Sequence, residues 1–209
     1  MGDYIIERLL LITDRLVIQG SDLLAALDAS FSAGLRLLQF REKDLPNQER
    51  FLLGKEVKKL ADSYGVKLIV NGDPSLALAL NAVGVHLGRS TLPIQVVKNK
   101  LKFEGIIGYS AHTVDEAKEA FKFGADYVTL SPVFQPVSKT KSVQNLGLEI
   151  FRDEIDKVSG HVYALGGISS INAHDCIDAG AYGVAVVGSI LGSDDPFHST
   201  KEILKTVSD

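Results

Sequence analysis

The sequence predicts an α/β protein that folds as a single (β/α)8 TIM barrel spanning residues 1–209. Three observations predict this fold: eight short apolar runs, helix-like segments between them, and a repeat of roughly 25 residues, as expected for successive strand–helix units. The chain length of 209 residues is at the small end of the range for such barrels.

The apolar runs are rich in Val, Ile, Leu and Tyr and are too short to form independent helices. Such runs are typical of parallel strands that are buried on both faces. They are LLLIT (9–13), LRLLQF (35–40), KLIV (67–70), VGVHL (83–87), GIIGYS (105–110), DYVTL (126–130), HVYAL (161–165) and YGVAVV (182–187).

Segments with helical spacing separate these strands, and several begin at Ser, Asp, Asn or Thr and end at Gly, as helix caps do. They include residues 21–34, 46–65, 113–124 and 172–181. A doubly wound open sheet is the alternative fold. The first strand–helix turn, TDRLVIQGS, lacks the glycine fingerprint of a dinucleotide-binding sheet, which favours the barrel.

The composition restricts the partners of the protein. With 22 Lys and Arg against 26 Asp and Glu, the net charge of −4 gives no general attraction to nucleic acid or to an anionic membrane. The segment MGDYIIERLLLITDR resembles neither a signal peptide nor a membrane span, so a cytoplasmic protein is expected. The single cysteine, Cys176, cannot form an intrachain disulfide, and a packing role is expected for it.

The second strand ends in QFREKD (39–44), which carries two cations. On an extended backbone Gln39, Arg41 and Lys43 point to one side, while Phe40 and Glu42 point to the other. Two inward cations predict a grip on a phosphate or carboxylate. The alternative is a buried ion-pair network with neighbouring carboxylates.

The seventh and eighth strands are followed by Gly166-Gly167 and by Gly188-Ser189. Backbone N–H groups at these two strand ends often form the phosphate site of a barrel. Glycines also occur in turns for conformational reasons alone. The position of both pairs nevertheless predicts a phosphate site here.

Two further segments follow strands. SPVFQPVSKTKSVQNLG (131–147) is long and polar, and it is either a lid that brings Lys139 or Lys141 onto a ligand or an exposed loop. GYSAHT (108–113) places His112 at the predicted barrel mouth, where an imidazole can transfer protons near neutral pH. A structural or solvated role for His112 is the alternative.

Read in chain order, these motifs resemble the thiamin phosphate synthase and thiazole tautomerase superfamily over nearly the whole chain. The motifs are QFREKD, VNGDPSLAL, GVHLG, IIGYSAHTVDEAKEAFKFGADYV, SPVF, ALGGIS and GAYGVAVVGSI. The resemblance implies a barrel that binds a thiazole phosphate. The synthases join this phosphate to a pyrimidine diphosphate, and two aspartates typically hold the Mg²⁺ that helps diphosphate to leave.

At the two aspartate positions this chain has Gly72 and Thr91, neither of which supplies the charged oxygen that Mg²⁺ prefers. With these two departures, the resemblance implies the tautomerase branch: a thiazole tautomerase, an isomerase without metal ligands or cofactor, that aromatises a carboxythiazole phosphate by acid/base catalysis at His112. Implied substrate contacts are Gln39, Arg41, Lys43, Asn71, Ser110, Ser138 and Lys139, and implied phosphate contacts are Gly166, Gly167, Gly188 and Ser189.

Two other functions stay open. One is a divergent thiamin-phosphate synthase that recruits Asp73, Asp44 or bound phosphate oxygens to hold Mg²⁺, and the other is a non-catalytic protein that binds thiazole or thiamin phosphate. The resemblance also implies a possible homodimer. Nucleic acid and membrane are not expected as partners.

Overall fold

Eight parallel strands close into one barrel, in which β1 pairs with β2 and also with β8. The computed structural model describes residues 7–135 and 146–208. Closure excludes the open doubly wound sheet and confirms the predicted barrel. The strands are β1 (Leu9–Ile12), β2 (Leu37–Phe40), β3 (Lys67–Asn71), β4 (Gly84–Leu87), β5 (Ile106–Ala111), β6 (Tyr127–Leu130), β7 (His161–Leu165) and β8 (Gly183–Val186).

Helices follow the strands, and several begin where the cap residues predict. Asp22 accepts a hydrogen bond from the N–H of Ala25 at 2.8 Å, and Thr113 accepts one from Glu116 at 3.2 Å. A short 3₁₀ helix, Arg15–Val17, follows β1. The described α-helices are α1 (Leu23–Ser32), α2 (Asn47–Ser63), α3 (Pro74–Ala79), α4 (Ile94–Asn99), α5 (Val114–Lys122), α6 (Leu148–Ile155), α7 (Ala173–Asp178), α8 (Gly188–Leu191) and α9 (Pro196–Ser208).

The strands separate two hydrophobic cores, because successive side chains point to opposite faces. The outer core lies between the strands and the helices and includes Leu38, Phe40 and Cys176. Burial raises the pKa of the Cys176 thiol to about 12, so the residue is an inert apolar packing group, as expected.

The inner core fills the lower part of the barrel. Its members are Leu10, Ile12, Leu37, Ile69, Ile106, Tyr127, Tyr163 and Ala185. Two positions further along the same faces, the inward residues become polar, as Gln39 after Leu37 and Asn71 after Ile69 show. The carboxyl ends of the strands therefore surround a polar mouth above an apolar floor.

None of the helices within residues 7–135 and 146–208 has both the length and the apolar composition that a membrane-spanning segment requires.

Candidate active site

The mouth of the barrel brings together the polar residues that follow the inner core. Gln39 on β2 donates from Nε2 to Oδ1 of Asn71 on β3 at 2.9 Å. Gln39 is only 2% exposed, and its Oε1 is buried without a hydrogen-bond partner in the structure. A buried carbonyl oxygen without a donor costs free energy, so a ligand donor above this pair would stabilise it.

Arg41 and Lys43 extend beyond β2 at the same mouth. Neither side chain has a carboxylate within salt-bridge distance among the described residues. Partial burial and the neighbouring Arg41 charge lower the pKa of Lys43. The alternative of a buried ion-pair network is therefore wrong for these two cations, which are left available to an anion.

A different cation neutralises the carboxylates of this segment. Arg15, from the 3₁₀ helix after β1, contacts Asp44 with two nitrogens at 2.7 and 2.5 Å and Glu42 at 3.2 Å. These hydrogen bonds raise the pKa of Arg15 and lower that of Asp44. The β2 end is also fixed by Thr13, whose Oγ1 accepts from the N–H of Arg41 at 2.8 Å.

This Arg15 clamp was not found from the sequence, because it depends on the spatial pairing of β1 with β2. Arg15 binds the two carboxylates nearest in sequence to Arg41 and Lys43, in the irregular and turn residues that follow the end of β2 at Phe40.

Below the mouth, His86 on β4 and Tyr127 on β6 form a buried hydrogen bond across β5, with 3.0 Å between Nδ1 and the hydroxyl. Gly108 on β5 lies between them, and an added Cβ there would be 2.5 Å from His86 Nδ1 and 2.2 Å from Tyr127 Cζ. Burial, followed by the charges of Lys43 and Arg41, lowers the pKa of His86 to about 3. His86 is therefore neutral and forms a rigid floor beneath the two cations.

His112 lies just beyond β5, exposed at the rim. Its Nδ1 is 3.0 Å from the carbonyl oxygen of Ser131. A carbonyl oxygen only accepts hydrogen bonds, so Nδ1 carries the hydrogen and is the donor. In the neutral ring the other nitrogen, Nε2, is then a proton acceptor. The N–H of His112 also donates to Glu116 at 2.9 Å, which fixes the backbone. The ring is therefore oriented as a base or hydrogen-bond acceptor.

Ser110 precedes it on the inward face of β5. The position is next to the end of β4, since a Cβ added at Gly88 would be 3.5 Å from Ser110 Cβ. Gln39, Arg41, Asn71, Ser110 and His112 thus all belong to the carboxyl ends of β2, β3 and β5. The roles assigned to them stay predictions.

The glycines after β7 adopt left-handed backbone conformations, with φ +105° at Gly166 and +63° at Gly167. A Cβ would be 2.7 Å from Pro132 at the first position and 2.7 Å from the carbonyl oxygen of Gln135 at the second. Packing and conformation therefore both require glycine here. Asn172 holds the turn by donating to the carbonyl of Gly167 at 3.0 Å and accepting from Ser169 at 2.9 Å.

The turn leaves free donors on the mouth side. The N–H groups of Gly167, Gly188 and Ser189 donate to no backbone acceptor among the described residues. Gly188 faces open space, and Ser189 Oγ is buried without a partner there. Free N–H groups from two adjacent strand ends form a suitable phosphate cradle. Asn172 is a support that the sequence did not single out.

Asp73 and Asp44, which the sequence offered as recruited metal ligands, are both engaged. Asp73 caps α3 by accepting from Leu76 at 3.0 Å, and its other oxygen pairs with Arg50 at 2.8 Å. Asp44 is bound by Arg15. Among the residues that the structure describes, no three His, Cys, Asp or Glu side chains are arranged to hold a metal ion. These residues do not fit a Mg²⁺ ion.

Ser138 and Lys139, together with Lys141, lie outside the described residues. Their predicted contacts with substrate therefore stay predictions.

Two surface cavities lie away from the mouth. One of about 480 Å³ lies between α1 and α2, and the other, of about 350 Å³, includes residues that precede β1 and β2 at the opposite end of the barrel. Neither includes a predicted site residue. In barrels of this kind chemistry is located at the carboxyl ends of the strands, so the mouth is the candidate site.

Comparison with known proteins identifies the family. Residues 9–190 match the family model described as thiamine monophosphate synthase. The chain is 37% identical over 196 residues to the thiamine-phosphate synthase of Desulfitobacterium hafniense strain Y51, covering 94% of this chain and 95% of that protein. It is 40% identical over 186 residues to a putative thiamine-phosphate synthase 2 of Aquifex aeolicus, covering 89% and 98%.

A solved structure supports the same relationship. The thiamine phosphate pyrophosphorylase of Pyrococcus furiosus superposes with a TM-score of 0.86 at 32% identity, covering 96% of this chain and 95% of that one.

These relatives correct the sequence-based function. The prediction of a thiazole tautomerase, and of an isomerase as the enzyme class, was wrong, because relatives that match over most of the chain are named thiamine-phosphate synthase. The prediction depended on two positions, Gly72 and Thr91, whereas the relationship extends over 94% of the chain. The chain belongs to the thiamine monophosphate synthase family.

Proposed function

We propose that this protein is a thiamin-phosphate synthase, a transferase that joins a pyrimidine diphosphate to a thiazole phosphate. In this reaction the thiazole nitrogen forms a bond to the pyrimidine methylene carbon. The bond from that carbon to the diphosphate oxygen breaks, and diphosphate leaves with the electron pair. Both substrates are small phosphorylated molecules.

The observation that carries the proposal is that two anion sites lie at one mouth. Among the described residues, Arg41 and Lys43 after β2 have no carboxylate partner, and the N–H groups of Gly167, Gly188 and Ser189 after β7 and β8 have no backbone acceptor. β1 lies between β2 and β8 in the barrel, because it pairs with both of them. Two anion sites on either side of one strand fit a reaction between two phosphorylated substrates.

The residues then have separate roles. The N–H groups after β7 and β8, with Gly166 shaping their turn, hold the thiazole phosphate, and Arg41 with Lys43 binds the diphosphate as it leaves. The Gln39–Asn71 pair orients the pyrimidine, because Gln39 Oε1 is buried and lacks a donor. Ser110 and His112 Nε2 contact substrate at the β5 side. Holding both reactants in place supplies the larger part of the rate in such transfers.

The test is formation of thiamin phosphate from the two authentic substrates, measured by chromatography after oxidation to the fluorescent thiochrome, with Mg²⁺ present. We expect turnover by the wild type. For Arg41→Gln we expect a decrease in kcat/KM of about 10²-fold or more, because the variant loses a charge-assisted contact with the diphosphate. Lys59→Gln on the surface of α2 is the control.

Absence of product would refute the proposal. If thiazole phosphate still bound under those conditions, the non-catalytic phosphate-binding function would be supported in its place. His112→Asn distinguishes roles for the ring: a decrease in kcat with unchanged KM would place it at the reacting atoms, and an increase in KM alone would limit it to binding. A possible homodimer stays a prediction.

A further inference from the structure

The two positions at which the family resemblance expects metal-binding carboxylates are neighbours in space. Gly72 follows β3, Thr91 lies in the loop after β4, and a Cβ added at Gly72 would be 3.3 Å from Thr91 Cγ2. The fold therefore brings these positions together. Neither of them carries a carboxylate in this chain.

Both positions are also committed to other contacts. Gly72 has φ +75°, a left-handed conformation in which most side chains are strained. The hydroxyl of Thr91 donates to the carbonyl of Gly88 at 2.8 Å and accepts from the N–H of Gly88 at 3.0 Å. The Thr91 hydroxyl thus stabilises its own loop through these two hydrogen bonds to Gly88.

Several carboxylates at this end of the barrel are engaged by an arginine, and Asp14, which follows β1, accepts a hydrogen bond from the N–H of Leu16 at 3.2 Å. Glu42 and Asp44 contact Arg15, and Asp73 contacts Arg50. On the β4–β5 side, Glu116 accepts from both Arg89 and the backbone of His112. The segment 136–145, which lies outside the described residues, contains no Asp or Glu in its sequence.

In contrast, the cations of the mouth are in excess. Arg41 and Lys43 have no carboxylate partner among the described residues, and they lie close enough to each other for the Arg41 charge to act on Lys43. Two neighbouring like charges are unfavourable unless an anion compensates them. The arrangement is therefore suited to binding an anion directly.

We infer that the described part of the barrel mouth provides no carboxylate site for a divalent cation, and that Arg41 and Lys43 compensate the charge of the diphosphate in its place. The proposed function supplies only the identity of the anion. The arrangement of charges is independent of whether the protein turns over, so the two proposals are tested separately.

The first experiment is a titration of the full chain with Mn²⁺ alone, in which electron paramagnetic resonance measures the free Mn²⁺. We expect the wild type to leave Mn²⁺ free and the double variant Gly72→Asp/Thr91→Asp to bind one ion. Asp tolerates a left-handed conformation, and the Thr91 change removes the methyl group that a side chain at position 72 would contact. The matched control Gly72→Asn/Thr91→Asn has the same side-chain size without charge.

Two outcomes would overturn the inference. Stoichiometric Mn²⁺ binding by the wild type at micromolar concentration would show a carboxylate site that we exclude. A folded aspartate variant that bound no more Mn²⁺ than the asparagine control would show that positions 72 and 91 do not converge on one ion, and it would overturn the claim that Arg41 and Lys43 act in place of a metal at these positions.

The second experiment is calorimetry with inorganic pyrophosphate in buffer containing EDTA. We expect binding by the wild type and a loss of affinity of about tenfold or more in Arg41→Gln and in Lys43→Gln, the effect of removing one charge-assisted hydrogen bond. Lys59→Gln should bind as the wild type does. Binding that appeared only when Mg²⁺ was added would overturn the direct role of the cations. Because neither experiment measures turnover, a failed synthase assay leaves both results interpretable.

Discussion

Replacing Gly108 with alanine tests the barrel floor beneath the site. This glycine lies on β5 between His86 on β4 and Tyr127 on β6, and the register places the three residues side by side. The added methyl group would lie 2.2 Å from Tyr127 Cζ and 2.5 Å from His86 Nδ1, distances that real Cβ atoms do not adopt. At least one of the two rings must move.

The magnitude follows from what surrounds the two rings. Tyr127 is 0% and His86 3% exposed, so neither ring can move into solvent. Forcing a methyl group into a packed core costs about 1–3 kcal/mol. Separating the His86–Tyr127 hydrogen bond leaves a buried polar group without a partner, which costs about 1–3 kcal/mol more. We expect a loss of about 2–6 kcal/mol in the free energy of unfolding, the sum of these ranges.

The measurement is thermal unfolding by calorimetry, supported by urea denaturation. For a chain of this size each kcal/mol lowers the Tm by about 2–4 °C, so we expect a decrease of roughly 4–24 °C. Gly88→Ala is the matched control, because its Cβ would make an ordinary contact of 3.5 Å with Ser110. A Gly108→Ala protein that melted with the control would refute the close approach of His86 and Tyr127.

Three further predictions concern the mouth itself. Arg15→Gln should weaken pyrophosphate binding about tenfold, since Glu42 and Asp44 would then compete for the nearby cations, and calorimetry would measure it; unchanged affinity would contradict the clamp. The pKa of Lys43 is lowered, so its charge is lost at a lower pH than for an ordinary lysine, and pyrophosphate affinity should decrease as the pH rises into the alkaline range; Lys43→Arg should remove this decrease. Asn172→Ala removes two hydrogen bonds, worth about 0.5–1.5 kcal/mol each, from the turn after β7, and inorganic phosphate titrated by calorimetry should bind several-fold more weakly.

The fold was predictable because its signals are local. Runs such as KLIV (67–70) are apolar on both faces, which in a parallel barrel places Leu68 in the outer core and Ile69 in the inner core. Asp22 and Thr113 cap their helices through their own side chains, so these starts were readable from residue type. Closure of the barrel was a weaker prediction, because the pairing of β1 with β8 joins residues that are far apart in the sequence.

The site was only partly predictable for the same reason. Alternation along β2 predicts that Gln39 points inward, because a single strand determines this direction, and Gln39 bonds to Asn71 in the barrel mouth. The Arg15 clamp and the His86–Tyr127 pair each need two or three strands in register, and no motif marks them. Asp73 shows the opposite error: its residue type is right for a metal ligand, but capping of α3 and the Arg50 pair use both of its oxygens.

The incorrect tautomerase prediction shows that two substituted metal-ligand positions are weaker evidence for function than similarity over most of the chain. Gly72 and Thr91 show that two carboxylates are absent at neighbouring positions after β3 and β4. Their absence does not determine which reaction takes place in the mouth. With those carboxylates present, a bound metal ion would supply positive charge to the anion. Without them, the anion still needs positive charge from another source in order to bind. In the proposed function that positive charge is supplied by Arg41 and Lys43, which have no carboxylate partner among the described residues, while Arg15 binds Glu42 and Asp44. Under the proposed function, a change in charge compensation within one reaction would account for the two substituted positions without a change of reaction.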